Sequence, residues 1–242
     1  MITKKEQKKI AEFCNKNPDA EEICAIFNRE RQYTLSKISH EIRNPVALID
    51  SFLQLMKKEH PEINSWTHFQ KIQENMEALE DLLEDLSSYN NAKKLHLDSI
   101  NLYRFLQVIM ENTASKLRFL PIETELQKNS AIPSIPLDIS KMRQVMSNLI
   151  RNAVESMPDG GKLTLAIHSD GSDIFIKVSD TGCGIEDDKI PTLFEPFVTH
   201  KPSGTGLGLA IAREVIEAHE GTIGISSVPK QGTTFTVKLP IR

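Results

Sequence analysis

Ser39-His40-Glu41-Ile42-Arg43-Asn44-Pro45 sets an imidazole beside a carboxylate, away from the apolar stripe of its own segment. Ile38 and Ile42 lie four apart, and at about 100° per residue His40 points roughly opposite to both. An unperturbed imidazole, with a pKa of about 6.5, is mostly neutral at neutral pH and therefore nucleophilic without a buried base. Further along, Asn148 and Asn152 share one helix face, and a carboxamide oxygen is a hard ligand suited to magnesium already held by phosphates. Asp180-Thr181-Gly182-Cys183-Gly184-Ile185 follows a strand-like run; its glycines let backbone approach a ligand, and its carboxylate can accept from an exocyclic amine. Gly204-Thr205-Gly206-Leu207-Gly208-Leu209 opens directly into a helix, where free amides and the positive dipole end favour phosphate. No strand immediately precedes this triplet, so it is not a dinucleotide-binding fingerprint. Each motif alone also fits a surface histidine, a solvated face or an ordinary turn.

Two regions of different periodicity must position these groups. From Ala20 to Met56 the apolar residues Ile23, Phe27, Ile38, Ile42, Ile49, Phe52 and Met56 recur at helical spacing, and Pro45 should bend that helix just after His40. A second helix from Asn64 to Asn90 carries Phe69, Ile72, Met76, Leu79, Leu83 and Leu86 as a heptad seam. Two helices cannot cover both seams, so the pattern predicts a hairpin that dimerises into a four-helix bundle. After Ala92-Lys93-Lys94 strands and helices mix. The reading places strands near 95–97, 122–126, 134–137, 162–168, 174–179, 223–227 and 233–239, and helices over 101–116, 138–157 with Asp138 as cap, and 207–219. That order fits a two-layer α/β sandwich. The expected divisions are a lead-in over 1–19, a helical domain over 20–92, a linker over 93–98 and the sandwich over 99–242.

Bulk properties narrow the class. The 242 residues carry a net charge of -4 with both signs interspersed, which gives no footprint for nucleic acid. Cys14, Cys24 and Cys183 have no zinc spacing and argue for a reducing compartment. Lys4, Lys5, Lys8 and Lys9 precede no apolar run, so neither signal peptide nor membrane span is expected. The expected location is cytoplasmic, as a free protein or as the soluble part of a membrane-bound sensor.

Taken together the motifs resemble the boxes of sensor histidine kinases. NLIRNAVESM is similar to the N box, DTGCGI to the first glycine box, LFEPFVTHK to the phenylalanine box and GTGLGLAI to the second glycine box of an ATP-binding domain shared with gyrase, one class of heat-shock chaperones and the MutL repair proteins. SHEIRNP resembles the H box of the dimerisation and phosphotransfer domain. The box style is similar to that of sporulation-type and nitrogen-regulation-type bacterial kinases. The resemblance covers about residues 30 to 240 and implies a Bergerat-type fold binding ATP and Mg2+. It implies His40 as phosphoacceptor, with Glu41 taking the ring proton, and Asp180 on the adenine amine. It further implies Asn152 as magnesium ligand with help from Asn148. Gly182 and Gly184 fall to the adenine loop, and Gly204, Thr205, Gly206, Leu207 and Gly208 to the lid and phosphate-facing helix start. Lys201 is left to reach a terminal phosphate. The implied partners are a second copy through the hairpin, a response-regulator receiver domain and protein regulators of the bundle.

Departures from the pattern are informative. Many relatives carry a base three residues after the second N-box asparagine, where this chain has Glu155, so Arg151 or Lys201 is left to supply the charge. Asn44 admits two roles: positioning a water that hydrolyses the partner's phosphoaspartate, or relieving the backbone around Pro45. His168, His200 and His219 are read as surface or strand-end residues.

Overall fold

The structure, a computed structural model, describes the backbone of residues 18–199, 201 and 204–241, and side chains from Lys37 onward within that set, His40 excepted. The chain divides into two compact units, meeting between Asn90 and Asn91. The first is a helical hairpin. Helix α1 (Pro18–Glu59) runs through Pro45 without interruption and ends with Lys57 and Lys58, cations suited to a helix C-terminus. A single 3₁₀ stretch, Pro61–Ser65, turns the chain into α2 (Thr67–Asn90).

On α2 the hairpin buries Phe69 and Leu83 of the expected seam, but on α1 it buries a different stripe from the one that sequence picks out. Ser39, Val46 and Leu53, seven apart, are buried, and Leu53 closes with Ile63 and Phe69 into a cluster against which Met76 packs. Ile38, Ile42, Ile49, Phe52 and Met56 are all exposed on the single chain. A serine at the first position hides the true seam from any reading based on hydrophobicity. Arg43 ties the two helices together, its guanidinium donating to the Leu83 carbonyl at 3.3 Å.

In the second unit a five-stranded sheet runs in the order β2 (Ile122–Lys128), β4 (Gly161–Ser169), β5 (Asp173–Asp180), β7 (Gly232–Pro240), β6 (Thr222–Val228). Only the β2–β4 pair is parallel. Alternation in β4 and β5 turns Leu163, Leu165, Ile167, Ile174, Ile176 and Val178 inward, and each is essentially fully buried. Helices α3 (Leu102–Leu117), α4 (Ile139–Glu155) and α5 (Gly208–Ala218) supply the second layer through Leu106, Met146, Leu149, Ile211 and Val215. The predicted strand at 95–97 lies instead at Asp98–Asn101 (β1), because its register is set by antiparallel pairing with β3 (Ser134–Leu137) and not by its own pattern.

Asp138 caps α4 by accepting from Ser140 and Lys141 N–H, both at 3.0 Å, and its other oxygen accepts from His96 N–H at 2.9 Å. His219 is not a surface residue. It is buried, with Nδ1 against the Val215 carbonyl at 2.8 Å and Nε2 accepting from Asp138 N–H at 3.0 Å. A carbonyl can only accept, so the ring proton sits on Nδ1. This bridge joins the end of α5 to the start of α4.

Candidate active site

Asp180 ends β5 at the sheet's rim, 8% exposed. Its Oδ1 accepts three hydrogen bonds, from Gly182 N–H at 2.9 Å, Ser156 hydroxyl at 3.0 Å and Thr233 N–H at 3.3 Å. These fix the carboxylate's rotation. Burial pushes its carboxyl above the usual range against the pull of those donors and of the Lys201 charge. Ser156 sits just past α4, and its backbone carbonyl also accepts from Cys183 N–H at 3.0 Å, clamping the first glycine loop to the helix end. A Cβ on Gly182 would stand 2.1 Å from the Ser156 hydroxyl and 2.5 Å from its carbonyl, so only glycine fits there. Gly184 follows in the same loop, and Thr181 accepts from Lys162 N–H at 3.0 Å. Sequence reasoning missed Ser156 and Thr233, whose only signal is proximity in space to Asp180.

Two turns back on α4, Asn148 is buried, and its amide donates to the Gly208 carbonyl at 2.9 Å while its oxygen accepts from Arg151 at 3.3 Å. It thereby fixes the first turn of α5. Asn152 carries its carboxamide oxygen toward Lys201, whose ammonium donates to it at 2.8 Å and also pairs with Glu155. Two hard oxygens, one a carboxylate, thus converge on a single cation, a donor set that also suits magnesium bound mainly through phosphates.

Between these groups runs the loop into α5. Phe197 N–H donates to the Gly206 carbonyl at 3.0 Å, and Gly206, at φ 69°, passes so close that a Cβ there would lie 2.7 Å from the Phe197 carbonyl carbon. Thr205 accepts from Leu207 N–H at 3.3 Å, and fully buried Leu207 anchors the helix start. Gly204 stays near the Thr199 hydroxyl, which also accepts from Lys201 N–H at 3.1 Å. His200 lies outside the described residues. So one unit brings together Asn148, Asn152, Asp180, Gly182, Lys201 and the second glycine motif around one rim.

The other sequence candidates lie on α1. Its helical backbone includes position 40, while the His40 side chain lies outside the described residues. Glu41 is exposed and sits 3.9 Å from the Lys37 ammonium, one turn back. Asn44 is exposed one turn after position 40.

Residues 30–93 match the family model of the His Kinase A (phospho-acceptor) domain, and residues 137–242 that of the histidine kinase-, DNA gyrase B- and HSP90-like ATPases. Sporulation kinase A of Bacillus subtilis (strain 168) is 38% identical over 208 residues, 84% of this chain and 33% of that protein. The signal transduction histidine-protein kinase AtoS of Escherichia coli (strain K12) is 28% identical over 220 residues, 88% of this chain and 36% of that protein. Full-length ShkA, solved in complex with AMPPNP, superposes with a TM-score of 0.74 at 26% identity, covering 86% of this chain and 45% of that one. Histidine kinase ThkA, solved in complex with the response regulator protein TrrA, gives a TM-score of 0.65 at 25% identity, covering 88% of this chain and 64% of that one. The chain belongs to the histidine kinase family, with a phospho-acceptor helical region followed by the family's ATPase-type sandwich. It spans 33%, 28% and 40% of the length of the sporulation kinases A, E and D. Among the described residues no helix is long and apolar enough to cross a membrane.

Proposed function

We propose that the chain is the core of an ATP-dependent protein histidine kinase in two-component signalling. It phosphorylates itself on His40 and passes the phosphoryl group to an aspartate of a response regulator. The observation that carries the reading is Asp180: three donors converge on one carboxylate oxygen and fix the group, which leaves the other oxygen to accept from the adenine amine. Asn152 supports the phosphates through magnesium, which when bound neutralises their charge, while Asn148 holds the start of α5 in place. The amides opening α5 face the phosphates, and Lys201 serves the terminal one. In the transfer step a ring nitrogen of His40 forms a bond to the γ-phosphorus. The bond to the β–γ bridging oxygen breaks, ADP departs, and the ring's other nitrogen yields its proton to Glu41.

The exposed face Ile38, Ile42, Ile49, Phe52 and Met56 supports a twofold dimer through the hairpin, since a contiguous apolar stripe of this length is unstable in water. The complexes of ThkA with a response regulator and of ShkA with AMPPNP are consistent with a receiver partner and a nucleotide cofactor here. We place Asn44 as the residue that positions water for receiver dephosphorylation, from its exposure one turn past His40. A cytoplasmic location follows from the chemistry, because ATP and receivers reside there. Phosphotransfer profiling of the labelled chain against a panel of purified receiver domains tests the reading. Label moving to one receiver within seconds to minutes is expected, and label that never leaves a phosphorylated chain for any receiver contradicts it.

A further inference from the structure

Glu155 is the feature of the rim that the proposed kinase reading does not use. It stands one turn after Asn152, at the end of α4, where it brings a negative charge to a site meant for a polyanion. By simple electrostatics it should weaken nucleotide binding. Its partner is Lys201, the cation assigned to the terminal phosphate, and the same ammonium reaches the Asn152 oxygen at 2.8 Å. Both side chains of the pair are near the middle of the exposure range, at 44% for Glu155 and 43% for Lys201. An ion pair that wet is held weakly and can change partners. Arg151, close by on α4, contacts Asn148, and no acidic side chain among the described residues pairs with it.

Resting on the reading of this rim as an ATP site, we propose that Glu155 is a positioning residue that makes nucleotide binding depend on magnesium. With Lys201 neutralising Glu155 and occupying the Asn152 oxygen, this lysine is not free to draw in a bare triphosphate. A metal-free nucleotide must take Lys201 away from Glu155 and then face an uncompensated carboxylate. A nucleotide that arrives with magnesium brings the countercharge for Glu155 and a hard cation for the Asn152 oxygen, and so releases Lys201 to the phosphate at little cost. Glu155 therefore exchanges one cation for another, and the exchange is favourable only when the metal is present. A lysine or arginine at this position would instead bind phosphate with or without metal.

The test is calorimetric titration of the full chain with AMP-PNP, once in excess Mg2+ and once in EDTA, for wild type, Glu155→Gln and Glu155→Lys. Wild type should bind much more tightly with Mg2+. Both variants should gain about fivefold or more in EDTA while changing less in Mg2+, so the ratio of the two affinities falls. In the Lys201→Met background the Glu155→Gln change should have a different effect on that ratio, since the cation being exchanged is gone. If Glu155→Gln binds AMP-PNP with the wild-type ratio, or loses affinity equally in both buffers, Glu155 is only structural and the inference is wrong. If wild type fails to bind AMP-PNP in Mg2+ at all, the reading of the site as an ATP site fails, and this inference with it.

Discussion

At the residue scale the site is organised around a carboxylate that costs stability. Asp180 is buried with its carboxyl held above the ordinary range, first by desolvation. Between the unfolded and the native pKa the folded chain holds a proton that the unfolded chain has lost, so stability falls as pH rises through that window. Asp180→Asn should therefore melt higher than wild type at pH 7.5 in thermal scans. That advantage should shrink toward pH 4, and the variant should lose ATP binding throughout. Ser156 predicts a different signature, because its one hydroxyl proton is shared between Asp180 and the Ala153 carbonyl at 2.7 Å, a carbonyl that also accepts from Ser156 N–H, so removing the hydroxyl leaves little unpaired. Ser156→Ala should weaken ATP binding about tenfold, as expected for one hydrogen bond to a charged group, with a small change in melting temperature. Neither Ser156 nor Thr233 was visible in the sequence, since their partner is 24 and 53 positions away respectively. Asp180, Asn152 and the glycine motifs were visible, because they cluster in short segments whose types and order are themselves the signal.

Elements were legible where pattern was local. Helix α4 and the β4–β5 hairpin lie within a few residues of their expected bounds, since capping by Asp138, alternation and a glycine turn are encoded in the segment itself. Strand β1 was displaced and His219 misplaced because both are fixed by partners far along the chain, β3 for the one and Asp138 for the other. Asp138 joins these elements, so its removal is a test of the join. Burial raises its carboxyl, but the amides of His96, Lys141 and Ser140 outweigh this and hold it below the ordinary range. Such a group stabilises the fold above the unfolded pKa of about 3.9, and that contribution disappears as pH falls through the native value. Asp138→Ala should lower stability by about 1–2 kcal/mol at pH 7 in urea unfolding, the usual weight of an N-cap. The deficit should narrow on acidification.

At the scale of the whole molecule, a helical unit carrying the proposed phosphoacceptor and a sandwich carrying the proposed nucleotide rim are joined at a single crossing of the chain near Asn90. The dimer expectation came from two seams that one hairpin cannot cover, and the exposed stripe of α1 bears the apolar residues from which it was drawn. Phe52→Glu should turn a dimer into a monomer in sedimentation velocity and leave AMP-PNP affinity unchanged, because the rim lies wholly in the other unit. A chain that stays dimeric with that charge would place its interface elsewhere. The proposed kinase activity depends on one nitrogen of one side chain, that of His40, accepting the phosphoryl group. Incubation of the wild-type chain with γ-labelled ATP and Mg2+, beside His40→Gln, addresses this most directly: label that is acid-labile in wild type and absent from His40→Gln is the predicted result, and label that survives the substitution would contradict it.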